Sequence, residues 1–413
     1  MIAPAWSGPL GDALALVIDH RGKTPKKLGG DWTESGVPVL SAMHVKGGRV
    51  DAAEARCISE EMHDRWMPER LCAGDVLLTS EAPLGEAAYL RHEIGACLGQ
   101  RLYGLRADEE VLHSRFLYFL LRDPSMQAKL AAHATGTTVL GIRQSALVKV
   151  EVDLPDVQYQ RQVASVLGSY DDLIENNRRR IEILEEMAGL VYREWFVHFR
   201  FPGQEDVELV DSDLAPIPEG WETETLADAA HLVMGQSPKS EYYNEVGQGL
   251  PFHQGVTNFG TRYPLHKTYC SQENRVAEEG DILLSVRAPV GRINVAPDRL
   301  VIGRGLAALR SRRDTQVYLF QTLREVFAKE DSMGGGTIFK AVTKRDLERI
   351  GLLRPPVHLV EDFENAVGPT FELVRNLTSQ VRVLSEVRDL LLPRLISGEL
   401  DVSGLDLDLE PVA

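Results

Sequence analysis

The chain has 413 residues, of which 44% are hydrophobic and 26% charged. This composition excludes a fibrous or wholly disordered protein and leaves room for two or three domains. A net charge of −16 is the opposite of the basic footprint expected of a nucleic-acid binder. Much of the imbalance lies in two segments without Lys or Arg, one holding Glu205, Asp206, Glu208, Asp211, Asp213, Glu219, Glu222 and Glu224, the other Glu399, Asp401, Asp406, Asp408 and Glu410. Net charge therefore says little about the field over the folded parts, although it suggests that tight DNA binding calls on a basic partner.

The N-terminus lacks a basic region followed by a long apolar stretch. Its apolar run 13–18 is bracketed by Asp12 and Asp19, so no signal peptide is expected. No segment approaches the ~20 apolar residues that span a bilayer. Cys57, Cys72, Cys97 and Cys270 are scattered without a Cys-x-x-Cys pair, which predicts buried free thiols, no metal and a cytoplasmic chain with no membrane partner.

In chain order, Trp6 opens a mixed region punctuated by Gly22-Lys23-Thr24-Pro25, Pro38-Val39, the β-like run Gly74-Asp75-Val76-Leu77-Leu78-Thr79, and Ala82-Pro83-Leu84-Gly85. A helical stretch is predicted over 114–132, followed by a turn at Gly136-Thr137 and an apolar run ending at Pro155. A long helix follows, in which Ile174, Asn177, Ile181, Leu184, Ala188, Val191 and Trp195 recur at alternating steps of three and four. Tyr192, Trp195, Phe196 and Phe199 crowd its end; they fit a partner anchor and a cap on the helix's own core equally well. The acidic, Pro-containing stretch 202–220 reads as a linker.

The same elements then return. Gly235-Gln236-Ser237-Pro238 and Pro251-Phe252 match the first copy at an offset of 213, while Gly280-Asp281-Ile282-Leu283-Leu284-Ser285 and Ala288-Pro289-Val290-Gly291 match at 206. Gly336-Thr337, Leu347, Pro355 and Leu384 match at 200. A helix is predicted over 315–329. The second seam runs through Val374, Leu377, Val381, Leu384, Arg388, Leu391 and Leu395. Three ordered blocks in register imply duplication. Two seams that each close a repeat pack most simply on each other, with polar Asn177 and Arg388 fixing register. A helix of about 30 residues spans roughly 45 Å.

The catalytic motifs sought are not found. The chain has no Gly-x-x-x-x-Gly-Lys-Ser/Thr loop and no Asn/Asp-Pro-Pro-aromatic tetrapeptide. Gly247-Gln248-Gly249 lacks the setting of a dinucleotide site, and His92-Glu93 lacks the second histidine of a metalloprotease. Two binding modules fit a duplicated chain better than one active site.

These features together resemble the specificity subunit of type I restriction–modification systems. The stretches that carry the resemblance are Pro155-Asp156-Val157-Gln158-Tyr159-Gln160-Arg161-Gln162-Val163 leading to Asp171-Asp172-Leu173-Ile174-Glu175-Asn176-Asn177, then Ile217-Pro218-Glu219-Gly220-Trp221, and Leu392-Pro393-Arg394-Leu395-Ile396-Ser397-Gly398-Glu399-Leu400. One departure is Pro369-Thr370-Phe371, which replaces the Asp-Asp-Leu pattern in the second helix. The resemblance implies an α+β fold: two duplicated α/β target-recognition domains separated by two long helices packed as an antiparallel coiled coil. It divides the chain into recognition domain 1 (1–153), spacer helix 1 (154–201), the acidic linker (202–220), recognition domain 2 (221–353), spacer helix 2 (354–400) and an acidic tail (401–413).

It further implies a non-catalytic subunit that reads double-stranded DNA and docks two modification (methyltransferase) subunits and the restriction (motor–nuclease) subunits. No cofactor is expected on this chain; S-adenosylmethionine, ATP and Mg are expected on the partners. The alternative is a coiled-coil protein-interaction scaffold without sequence reading. Seam or partner positions are Ile174, Ile181, Leu184, Val191, Trp195, Val374, Leu377, Val381, Leu384, Leu391 and Leu395. Candidate DNA contacts in the first copy are Arg21, Lys23, Thr24, His44, Lys46, Arg49, Thr137, Thr138 and Arg143. In the second they are Gln236, Ser237, Lys239, Gln254, Asn258, Arg262, Arg287, Arg304, Thr337 and Lys340. A duplicated, diverged reader predicts two different half-sites in one bipartite target.

Overall fold

The computed structural model describes residues 3–136, 139–203, 208–332 and 342–405. The chain forms two compact units, Met1–Arg178 with Ser379–Ala413, and Arg179–Thr378. The fold is α+β and includes two helices of 40 residues each, Val157–Phe196 and Val357–Ile396. Among the described residues no helix is long and apolar enough to cross a membrane.

In the first unit a four-stranded antiparallel sheet has the order Leu14–Ile18, Leu102–Ala107, Val76–Ser80, Leu84–Tyr89. All five residues of Val76–Ser80 are buried, as a central strand covered on both faces requires. Beside it Val37–Leu40 runs parallel to Cys97–Leu98 and antiparallel to Cys57–Ile58. The helical stretch expected over 114–132 is two helices, Ser114–Arg122 and Pro124–Ala132. Pro124 cannot continue the first helix, and the Asp123 carboxylate accepts from Ser125 N and Met126 N to cap the second. Phe116, Phe119 and Leu130 join Tyr103 and Leu78 in one core with Tyr159, Val163 and Leu167 from the start of the first long helix. Strand Trp6–Pro9 pairs with Glu151–Leu154 to close the domain.

The second unit has a sheet of the same pattern: Ala230–Met234, Leu306–Ser311, Ile282–Ser285, Ile293–Val295. Leu250–His253 again runs parallel to a later strand, Leu300–Ile302, and Glu222–Thr225 pairs with Gly351–Arg354 as Trp6–Pro9 does with its partner. The duplication reaches individual bonds. Buried Asp75 accepts from Cys72 N at 2.8 Å and binds Arg106 Nε at 2.8 Å. Buried Asp281 accepts from Glu278 N at 2.8 Å and binds Arg310 Nε at 2.6 Å. Thr79 Oγ1 accepts from Glu86 N, and Ser285 Oγ accepts from Arg292 N, each at 2.8 Å. Ala82–Pro83 and Ala288–Pro289 are both cis.

Within each unit, halves of the two long helices pack antiparallel. In the first, Tyr159 Oη donates to Leu395 O and Leu400 O, Arg388 Nη1 meets Asp171 Oδ1 at 2.5 Å, and Asn177 Nδ2 donates to Gln380 Oε1 at 3.0 Å. In the second, Tyr192, Trp195 and Phe196 ring Phe363 at 5.2–6.0 Å between centroids. Every seam position named from the sequence is buried or half-buried, including polar Asn177 and Arg388. The first turns of the first long helix also line the core of its sheet domain through Tyr159, Val163 and Leu167.

The aromatic crowd at the end of the first long helix is core. Phe196 is 1% exposed and packs on Tyr318, Trp221 and Phe363. Within the acidic stretch Leu209–Val210 pairs with Ile217–Pro218. Cys97 and Cys270 are buried free thiols as expected, whereas Cys57 is half-buried and Cys72 exposed.

Candidate nucleic-acid interface

In each unit the loops leaving one end of the four-stranded sheet collect the candidate contacts. In the first, strand Leu14–Ile18 runs directly into the turn that carries Arg21. The Asp19 carboxylate grips the Arg21 guanidinium through two bonds of 2.8 Å, Nη1 donates to Ile142 O, and the group lies 4.1 Å from the centre of the Tyr103 ring. Arg21 is thus a fixed cation. Arg143 follows Ile142 and is exposed.

Glu81, which follows the central strand Val76–Ser80, pairs with Arg101 at 2.8 Å. The Arg101 carbonyl accepts from Ser80 N. Arg101 and Glu81 were not among the candidates from the sequence. A carboxylate donates nothing to a phosphate, yet the register of 206 that aligns Ala82-Pro83 with Ala288-Pro289 sets Glu81 opposite Arg287.

Other first-copy candidates are dispersed. Lys23 Nζ donates to Trp66 O at 2.5 Å, and Thr24 Oγ1 accepts from Lys27 N to form a turn. His44 is buried, its Nδ1 accepting from Ser41 N at 2.8 Å. Lys46 and Arg49 face each other on a short ribbon, and Arg49 binds Glu175 of the first long helix at 3.0 Å. Thr137, Thr138, Thr337 and Lys340 lie outside the described residues.

The second copy is more convergent. Ser237 Oγ donates to Gln254 Oε1 at 2.8 Å and accepts from Arg304 N at 3.2 Å, while Gln236 N donates to Ile302 O and Gly305 N to Gln254 O. A Cβ on Gly235 would lie 2.1 Å from Gly303 O, and one on Gly305 2.4 Å from Gln254 O. Glycine at both points is what lets three loops meet backbone to backbone. Arg287 joins them through Val286 N, which donates to Gly305 O at 2.9 Å. Gln236, Gln254, Arg287 and Arg304 are all exposed. Lys239 pairs with Glu241 on the surface, and Asn258 is half-buried with its carbonyl accepting from Leu265 N.

Arg262 departs from expectation. Its side chain is 1% exposed, pairs with Glu185 of the first long helix, and stacks 3.5 Å from the Phe371 ring centre, so it braces the unit from inside and offers nothing to DNA. Behind the loops, His253 Nε2 lies 2.9 Å from His266 Nδ1, and burial together with the neighbouring His266 lowers the His253 pKa to about 4. Among the described residues, no group of three or more His, Cys, Asp or Glu is placed to hold a metal ion.

Comparison with known proteins adds likenesses of sequence and fold. Residues 9–186 match the family model described as type I restriction modification DNA specificity domain. The match runs along the chain in a putative type I restriction enzyme MjaX specificity subunit from Methanocaldococcus jannaschii, 29% identical over 398 residues, 94% of this chain and 92% of the relative. The chain is thus similar to type I restriction–modification specificity subunits along most of its length, and its residues 9–186 match their DNA specificity domain. The MjaIX specificity subunit of the same organism is 28% identical over 80% of this chain and 79% of its own length. The crystal structure of a type I S subunit from M. genitalium matches with a TM-score of 0.57 at 17% identity over 96% of each chain, a likeness of fold.

Proposed function

We propose that the chain reads an asymmetric, bipartite double-stranded DNA sequence on behalf of a type I restriction–modification complex. Residues 1–153 and 221–353 are the two target-recognition domains, each contacting one half-site in the major groove, where all four base pairs differ. The helical repeats 154–201 and 354–400 set the distance between half-sites and dock two modification subunits, with the restriction subunits joining that assembly. S-adenosylmethionine chemistry and ATP-driven motion belong to those partners.

The observation that carries this reading is one scaffold bearing two loop sets. The strand order and the Asp75–Arg106 and Asp281–Arg310 pairs repeat, while the exposed ends of the sheets carry Arg21, Glu81 and Arg101 in one unit and Gln236, Gln254, Arg287 and Arg304 in the other. Equal scaffolds with unequal contact chemistry are what a split target with different halves requires. The loops around Arg21, Arg143, Arg287 and Arg304 are the proposed contact regions, with Lys23, Thr24, Lys46, Arg49 and Lys239 at their margins.

The test is genome-wide adenine-methylation mapping after co-expression with the cognate methyltransferase subunit. The expected result is a split, asymmetric motif that vanishes when this chain is omitted. Methylation unchanged by its omission would return the chain to a scaffold role.

A further inference from the structure

Glu81 and Arg287 occupy one position of the duplicated fold with opposite charge. Each lies two residues beyond the hydroxyl residue, Thr79 or Ser285, that accepts from the returning strand at 2.8 Å, and each precedes a cis Ala–Pro bond. The neighbouring segment is also equivalent, since Ile142 N donates to Ser80 O and Val342 N to Val286 O, both at 2.9 Å. The residue facing the position changes in step. Arg101 pairs with Glu81 in the first unit, whereas the matching place in the second is Gly305, one residue before Leu306 as Arg101 is before Leu102. Among the described residues Arg287 forms no ion pair, and it is exposed.

Resting on the DNA-reading function above, we propose that Glu81 and Arg287 are base-reading residues of opposite sense. Glu81 accepts from the amino group of a cytosine in one half-site, and Arg287 donates to O6 and N7 of a guanine in the other. A carboxylate at a DNA-facing loop is repelled by phosphates, and the groove donors that suit it are base amino groups. The carboxylate is also preorganised. Arg101 holds it from a left-handed backbone conformation, φ +63°, and Gly141 makes room, since a Cβ there would lie 3.1 Å from Glu81 Oε2. Such a backbone costs more than an exposed ion pair returns in stability, so the pair is better explained as aiming the carboxylate.

Methylation mapping of the assembled complex decides the matter, with Glu81→Ala, Glu81→Gln and Arg287→Ala chains compared with wild type and thermal unfolding of each recorded alongside. Glu81→Ala is expected to relax one cytosine position of a single half-site, losing about 5- to 150-fold discrimination there. Glu81→Gln, nearly isosteric, should admit adenine at that same position. Arg287→Ala should relax one guanine of the other half-site by a similar factor. An unchanged motif in folded variants, relaxation of both positions within one half-site, or uniform weakening across the site overturns the assignment while leaving the DNA-reading function standing. Absence of any motif with the wild-type chain instead overturns that function and the assignment with it.

Discussion

Arg262 and Glu185 place two full charges where water barely reaches, at 1% and 11% side-chain exposure, with Arg324 as a second partner of Glu185 at 3.0 Å. Removing one member of a buried pair strands the other. Glu185→Ala should therefore destabilise the second unit by about 3–5 kcal/mol, and the double variant Glu185→Leu/Arg262→Met should recover most of that loss. Denaturant titration followed through Trp195 and Trp221 emission checks both. A second residue sets a pH dependence. Burial and His266 hold the His253 pKa at about 4, against 6.5 for an ordinary imidazole. The unfolded chain takes up that proton first, so His253's contribution is complete above pH 6.5 and is lost as pH falls toward 4. His253→Asn should flatten the stability profile in that window, measured by urea unfolding at stepped pH. Neither arrangement was legible in the sequence. Arg262 looks like any loop arginine until Phe320, Phe371 and a helical glutamate distant in sequence close around it. Burial is a property of the packed fold, and no local pattern announces it.

At the scale of elements the reverse holds. The heptad residues of both long helices were readable because an α-helix must repeat its apolar face every three to four residues wherever it meets another helix. The same spacing reaches further back than the residues named. Leu167 and Val163 continue the spacing of Ile174 and Asn177 back to the first turns of Val157–Phe196, where the same face also joins the core of the sheet domain. The break at Asp123 was legible in Pro124 and went unread within the longer helical pattern. If these helices set the spacing of the half-sites, inserting or deleting one heptad in both should change the spacer of the methylated motif by about three base pairs, since seven residues rise roughly 10 Å. Methylation mapping of such variants reads the result directly, and an unchanged spacer eliminates the mechanism.

For the molecule as a whole, the repeat was the strongest sequence signal because loops absorb deletions while strands and turns keep their order. The stepwise offsets locate the repeated framework, and the proposed contact residues lie in what the framework leaves free. Charge was the weakest guide, because the linker stretch and the tail carry acidic residues without any Lys or Arg while the loops at the sheet ends carry arginines. The first unit is also discontinuous: Tyr159 bonds the carbonyls of Leu395 and Leu400, Gln162 Nε2 donates to Ser403 O, and Leu392, Leu395 and Val402 fill the first core. On the ribosome, the stretch synthesised first must therefore wait with part of its core open until residues 379–405 emerge, whereas the second unit has all its residues in one stretch and can close earlier. The last segment to be made thus acts as a checkpoint on the first: a copy cut short near residue 378 lacks Leu392, Leu395 and Val402 and leaves the core of its opening domain incomplete.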